Sequence, residues 1–489
     1  MNQKKAIVIG SGLGGLSTAV VLAKNGYHAT VLEQGLQAGG CLQCFTRGGA
    51  RFETGMHFIG SAGEGQVLHQ LLRYLEVDRQ LRLSPLDANG YDVISLRGRH
   101  YRFAQGRQAF IDTLAAQFPA EREGLERLWD LIDEVAQASS FQSMQNTQTD
   151  DAVNARYQLL SINEVVDSVI ADPELRNVLA GNLPLYAAER DKTPFSTYAH
   201  IMNFYNRSAY RIVGGSEQLA RALCNVISKY GGEVLTRRRV TEILCDDRRA
   251  TGVRCADGSL YEGDLVVSAI HPQRTIELVH SSLLRPAYRQ RIAQLRNTVG
   301  GFAVYVKFRE GEVPYMNHNF YGYRQDSPWG CETYDDTSWP KGYLYMHFCE
   351  QPDMVWARSG VILSYMQMGD VERWSHTTVG HRGADYEHFK REHAERLLAA
   401  VEEEFPHLRQ HIEAYYTSTP LTYRDYTGTE GGSMYGVAKD IHAGPASRVH
   451  HRTRIPNLLL AGQNVNSHGI LGTLVGTLVA CGEAVRATR

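Results

Sequence analysis

Residues 6–35 read AIVIGSGLGGLSTAVVLAKNGYHATVLEQG: an apolar run broken by glycines, a second run with helical spacing, and a third that ends on an acid. Ala6 to Ile9 predicts a strand, Gly10, Gly12 and Gly15 form GxGxxG leading into a helix, and Ala29 to Leu32 predicts a second strand that delivers Glu33. The first glycine permits the tight turn, the second lets a pyrophosphate approach the backbone, and the third lets helix and strand pack closely. The helix start supplies unpaired N–H groups and a favourable dipole for phosphate charge. Glu33 lies 23 residues after Gly10, where an adenosine ribose needs a carboxylate. A lone GxGxxG is weak evidence, but strand, helix and acid agree on a Rossmann-type dinucleotide site in an α/β fold.

Length and charge bound what surrounds this unit. The 489 residues allow two or three domains. With 51 Lys and Arg against 53 Asp and Glu, the net charge of -2 carries no polyanion footprint, so no nucleic-acid partner is expected. The eight cysteines are scattered, which suits a reducing compartment and a cytoplasmic location. Five residues precede the first apolar run, too few for a signal peptide. The apolar stretch from Leu458 carries Asn464, Asn466 and His468 near its middle, and so reads as buried strand, loop and helix rather than a membrane span.

Helical spacing is expected from about Gln66 to Leu83 and through most of 107–205, with interruptions at Pro119 and Pro173. YDVISLRGRHYRFA suggests two short strands. The aromatic-rich runs FAVYVKF, YLYMHF and VILSYMQM between 300 and 368 suggest an antiparallel sheet facing a core or cavity. The expected organisation is a discontinuous nucleotide-binding domain (1–75, 206–285 and 445–489) with an inserted substrate domain and helical cap (76–205 and 286–444). The substrate cavity would lie between them.

The chain's only CxxC, Cys41 and Cys44, opens a run that ends GMHFIG. A structural zinc site wants four ligands in paired spacing and no second pair exists, so no metal is expected. A thiol redox pair fed by a flavin would call for a second dinucleotide fold, and no second GxGxxG follows a strand. The remaining reading is two soft residues packed beside a cofactor. Gly39, Gly40 and Gly55 mark backbone lying close to a flat ligand, with Arg47 or Arg51 offered to phosphate or flavin oxygens. In the tail, Gly462 ends a strand, and the helix start at Gly469 to Gly472 can point N–H groups at a reduced, anionic flavin. Such an ending favours FAD over a nicotinamide.

These segments, together with RFETGMHFIG, YRIVGGSEQLARAL, GGEVLTRRRVTEI and NLLLAGQNVNSHGILGTLVGTLVACGEAV, resemble the FAD-dependent phytoene desaturase, carotenoid isomerase and retinol saturase superfamily, within the wider amine-oxidase-like flavoproteins. The resemblance covers nearly the whole chain in order. It implies that Gly10, Gly12, Gly15, Glu33, Gly39 and Gly40 match the adenosine and pyrophosphate elements, that Val240 meets the adenine, and that Gly462, Gly469, Ile470 and Leu471 hold ribityl and flavin ring. Gly14, Gln34, Met56, His57 and Gln463 complete the cofactor set. Implied too are non-covalent FAD, an apolar isoprenoid or polyene substrate, and peripheral membrane contact, with 105–210 as the membrane-facing surface. Carotene desaturases carry a Thr-x-Pro-Gly type ending, whereas NVNSHGILG has no proline, so the saturase branch is the nearer one.

On this reading the chemistry is hydride transfer at a carbon–carbon bond, with a proton moved separately. His57, His468 and Tyr435 are the candidate proton handlers, each with the plainer alternative of a packed structural side chain. A flavin amine oxidase and a non-catalytic flavin-binding isoprenoid carrier stand as alternatives. The electron partner is not readable.

Overall fold

The computed structural model describes residues 3–139, 150–465 and 467–486; Asn466, singled out above, lies outside them. A five-stranded parallel sheet is assembled from three distant stretches of chain, in the order Glu233–Leu235, His28–Leu32, Lys5–Ile9, Leu265–Ser268, Leu458–Leu460. Val8 sits in register with Val31 on one side and Val267 on the other. The inner strands are buried on both faces and so read as nearly continuous apolar runs rather than alternating ones, while the edge strand Glu233–Leu235 is only part-buried. The helices Leu13–Lys24 and Gly469–Arg486 pack against each other, tied by Ser17 Oγ and Thr477 Oγ1 at 2.9 Å. A small three-stranded antiparallel sheet, Val240–Cys245, Ala250–Cys255 and Leu260–Glu262, stands beside the parallel sheet.

The aromatic runs form a second sheet of seven strands, ordered Ile412–Ser418, Gly300–Phe308, Ser359–Met366, Gly342–His347, Asn319–Tyr323, Asp92–Leu96, Arg99–Phe103. One pair, Asn319–Tyr323 with Asp92–Leu96, is parallel. Phe52, on the hairpin Cys44–Arg47/Ala50–Glu53, meets Tyr305 and Tyr416 edge-on at 5.9 and 5.7 Å, which docks the hairpin on this sheet. The expected helical region holds Arg107–Ala115, Arg122–Ala138, Asp151–Tyr157, Ile162–Val169, Pro173–Leu179 and Phe195–Arg207. Ser161 and Glu164 close a capping box, and Asp150 and Asp172 cap the helices that follow them. No helix among the described residues is long and apolar enough to cross a membrane.

One expected helix is shorter than its pattern. The 66–83 segment yields only Val67–Tyr74, then a turn and the strand Leu83–Pro85, which pairs with Ala209–Ile212. Glu76 takes φ 62° and is held by Lys24 at 2.9 Å and Lys229 at 2.6 Å, so charge pairing ends the helix where hydrophobic spacing alone would extend it.

Candidate functional site

The glycine turn is built by close approaches that exclude side chains. Gly10 takes φ +91° and donates its N–H to Leu32 O at 2.9 Å. A Cβ on Gly15 would collide with the carbonyl oxygen of Gly10, so this residue serves helix–strand packing. A Cβ on Gly14 would lie 2.5 Å from Gly462 Cα, which puts the first turn in backbone contact with the tail. Gly39 donates to Ser11 O at 3.0 Å and brings the 39–40 loop over the turn. The buried Glu33 carboxylate accepts from Ser11 N at 3.0 Å, Ser11 Oγ at 2.5 Å and Gly35 N at 2.7 Å. These bonds fix its orientation and leave lone pairs for a further donor.

Around this turn runs one cavity of about 620 Å³. Its polar end is lined by Ser11, Glu33, Arg238, Arg239, Thr241 and Arg274, and its apolar end by Leu185, Tyr205, Leu344, Met346, Leu363 and Met434. Gly10, Gly12, Gly14, Gln34, Gly39, Gly40, Gly55, Met56, His57, Val240, Tyr435, Gly462, Gln463, Gly469 and Ile470 all line it. The start and the far end of the sequence therefore share one wall. A Cβ added to Gly12 or Gly469 would meet no atom within 4 Å, so both face open space beside the backbone, as a bound pyrophosphate and ring would require. Open backbone at two glycines, a fixed carboxylate and an apolar far end fit a flavin dinucleotide.

Four expected residues lie off that wall. Gly15 packs inside the turn, and Leu471 is buried in the core between the helices. Arg51 forms an ion pair with Glu217, the first residue of the helix Glu217–Lys229, and that pairing draws its guanidinium off the cavity wall. His468 stacks on Tyr435 at 4.8 Å, and burial, reinforced by Lys439, pushes its imidazole down to about 3. It is neutral at physiological pH and stands behind the wall.

The two cysteines are both free thiols. Cys41 lines the cavity, and burial raises it to about 11. Cys44 is buried on the hairpin, 3.8 Å from Ser216 Oγ, and is raised by burial and then by Glu53. Neither is a thiolate at neutral pH, so neither is poised for thiol exchange. Tyr435 donates its hydroxyl to Pro184 O at 2.9 Å. His57 Nδ1 lies 3.6 Å from Glu53 Oε2. Among the described residues, no group of three metal-ligating side chains forms a site.

Sequence reasoning missed Ser11, Arg238, Arg239, Tyr205, Tyr423 and the aliphatic lining of the second sheet. Ser11 was readable, since it sits between the glycines; the others come from elements whose mutual placement no local pattern specifies.

The family model for flavin containing amine oxidoreductases matches residues 13–474. The all-trans-retinol 13,14-reductase of Rattus norvegicus is 30% identical over 523 residues, covering 98% of this chain and 85% of that relative. A neurosporene-forming phytoene desaturase of Cereibacter sphaeroides is 24% identical, covering 99% and 96%. The crystal structure of an oxidoreductase from Methanosarcina mazei superposes with a TM-score of 0.68 at 17% identity, covering 98% and 100%, a likeness of fold. With the family model spanning both ends of the cavity wall, the chain belongs to the flavin-containing amine oxidoreductases and is a flavin-dependent oxidoreductase.

Proposed function

We propose that this enzyme holds FAD non-covalently along the cavity and reduces a conjugated carbon–carbon double bond of an apolar isoprenoid or polyene. The observation that carries the reading is the charge distribution of the wall. Its ionisable acids and bases of fixed charge, Glu33, Arg238, Arg239, Arg274 and Glu277, all belong to the nucleotide half, while Leu185, Leu344, Met346, Leu363 and Met434 line the other. A long apolar chain gains by burial there, and an ammonium group would find no carboxylate. The relatives named for retinol and phytoene chemistry support the same substrate class. A substrate of this kind partitions into bilayers, so the enzyme works at a membrane surface in the cytoplasm.

Bound FAD supplies hydride-transfer chemistry at its ring. The chain would bind the adenosine and pyrophosphate end through Glu33 and the backbone at Gly12 and Gly40, hold the ring region near Gly55 and Gly469, and exclude water from the apolar slot. A proton must reach the carbon beside the one that receives the hydride. His57 is best placed to move it: its side chain lines the cavity, Tyr435 already spends its proton on Pro184, and His468 stands behind the wall.

The test is anaerobic. Photoreduced, FAD-loaded enzyme is offered a panel of conjugated isoprenoids, and the oxidised enzyme their saturated analogues. Reoxidation by the polyenes, with products two hydrogens heavier, is the expected result. Bleaching of the oxidised enzyme by the saturated compounds alone would establish desaturation instead, and oxygen consumption with amines would move the enzyme to amine oxidation.

A further inference from the structure

We infer that Glu53 and Arg211 are positioning residues that fix His57 as a single tautomer, proton on Nδ1 and Nε2 free to exchange with substrate. Glu53 ends the inner strand of the hairpin and is only 7% exposed. Its Oε1 accepts the backbone N–H of Ser216 at 3.0 Å, just before the helix Glu217–Lys229, so the carboxylate cannot swing away. Its Oε2 faces His57 Nδ1 at 3.6 Å. Catalytic pairs are often this long before substrate fills a site. A carboxylate oxygen only accepts, so it selects the ring form that presents N–H on that side.

The main chain of His57 is held separately. Arg211, 1% exposed, donates to His57 O at 3.1 Å and His318 O at 3.2 Å. No carboxylate lies within ion-pair distance of it among the described residues, the buried Asp92 acting on it only at longer range, so its direct partners are these two carbonyls. One of those carbonyls belongs to the residue whose ring lines the cavity. Backbone and ring are thus constrained by different partners, which is how a proton-transferring histidine is kept in one geometry.

The inference rests on the proposed reduction only for its chemistry. In that reaction Nε2–H of the imidazolium gives its proton to the substrate carbon, the π pair forms the new C–H bond, and the ring is left neutral with its other proton on Nδ1. The hydride for the neighbouring carbon would be supplied by the reduced flavin, which is thereby oxidised by two electrons, and a solvent proton would restore Nε2–H.

The experiment measures the tautomer directly. Full-length, FAD-loaded protein labelled with ¹⁵N-histidine is examined by long-range ¹H–¹⁵N correlation at a pH where the ring is neutral, with His57→Gln identifying the signal. Wild type is expected to carry its proton on Nδ1. In Glu53→Gln the Ser216 N–H claims the amide oxygen, so the NH₂ group turns to His57 and the proton moves to Nε2. A wild-type ring protonated on Nε2, or a tautomer unchanged in Glu53→Gln, overturns the inference; if that variant does not fold, the wild-type spectrum alone decides. In single turnover with a polyene, Glu53→Gln should slow reduction about 10- to 100-fold at unchanged flavin affinity. Equal rates would also overturn it. Should no polyene reoxidise the wild type, the proposed reduction falls while the tautomer result stands on its own.

Discussion

Replacing Gly12 and Gly14 by alanine, one at a time, separates two reasons for a glycine that sequence alone treats alike. Gly12 has φ -63° and ψ 176°, which alanine adopts without strain, and an added Cβ meets nothing within 4 Å. The apo chain should therefore keep its stability or gain about 0.4–1 kcal/mol from a stiffer unfolded state. The methyl group instead enters the space a pyrophosphate needs. Overpacking of that size costs about 1–3 kcal/mol, which corresponds to a flavin affinity weakened roughly 5- to 150-fold. At Gly14 the Cβ lies 2.5 Å from Gly462 Cα and 2.8 Å from its nitrogen, both backbone atoms that cannot rotate aside. Reaching ordinary contact means parting turn and tail by roughly 0.9 Å, so Gly14→Ala should lose about 1–3 kcal/mol before any ligand is added. Urea unfolding of the apo proteins and flavin titration by fluorescence quenching give both quantities. Gly12→Ala binding flavin as tightly as wild type would refute the placement of the phosphate beside that turn.

Arg51→Ala removes a half-exposed ion pair and should cost less than about 1 kcal/mol with flavin affinity unchanged in the same titration; a marked loss of affinity would return Arg51 to the cofactor. Tyr435→Phe should cost about 1 kcal/mol for the lost bond to Pro184 and leave single-turnover reduction within about tenfold of wild type, whereas a loss of about a hundredfold or more would mark it as the proton donor. Two buried groups should tilt stability against pH in opposite senses. Burial, with Arg211 and His318, holds His347 at about 3 against an ordinary 6.5, so its contribution is intact above 6.5 and lost as pH falls towards 3. Burial raises Asp92 to about 7 from 3.8, against the opposing Asn319 bond and Arg211, so its contribution is intact below 3.8 and lost as pH rises through 7. In urea titrations across pH 4–7, His347→Gln should remove a rise in stability with pH and Asp92→Asn a fall, each up to about 1.4 kcal/mol per pH unit; unchanged slopes would contradict the burial argument.

The nucleotide half was legible because its signals are local. GSGLGG specifies its own turn, Glu33 follows at a distance fixed by one helix and one strand, and NLLLAG ends in a glycine at φ +93°. The second sheet was legible as strands facing a core or cavity, but its lining was not, since Leu344, Met346 and Leu363 look like any alternating apolar residues until their strands are ordered. Arg51 was misplaced for a related reason: its partner Glu217 lies far along the chain, and no local pattern brings the two together. His468 was misjudged because its neighbour Tyr435 lies on a loop that nothing in the tail foreshadows.

The apposition of Gly14 and Gly462 bears on how this protein is made. During synthesis the glycine turn emerges long before the backbone it rests against, which is translated together with the strand Leu458–Leu460 that completes the parallel sheet. Between those two events a nascent chain has an open sheet edge and no place to retain its prosthetic group. Chaperone engagement should persist until Gly462 clears the ribosome, and products truncated before it should be colourless and short-lived.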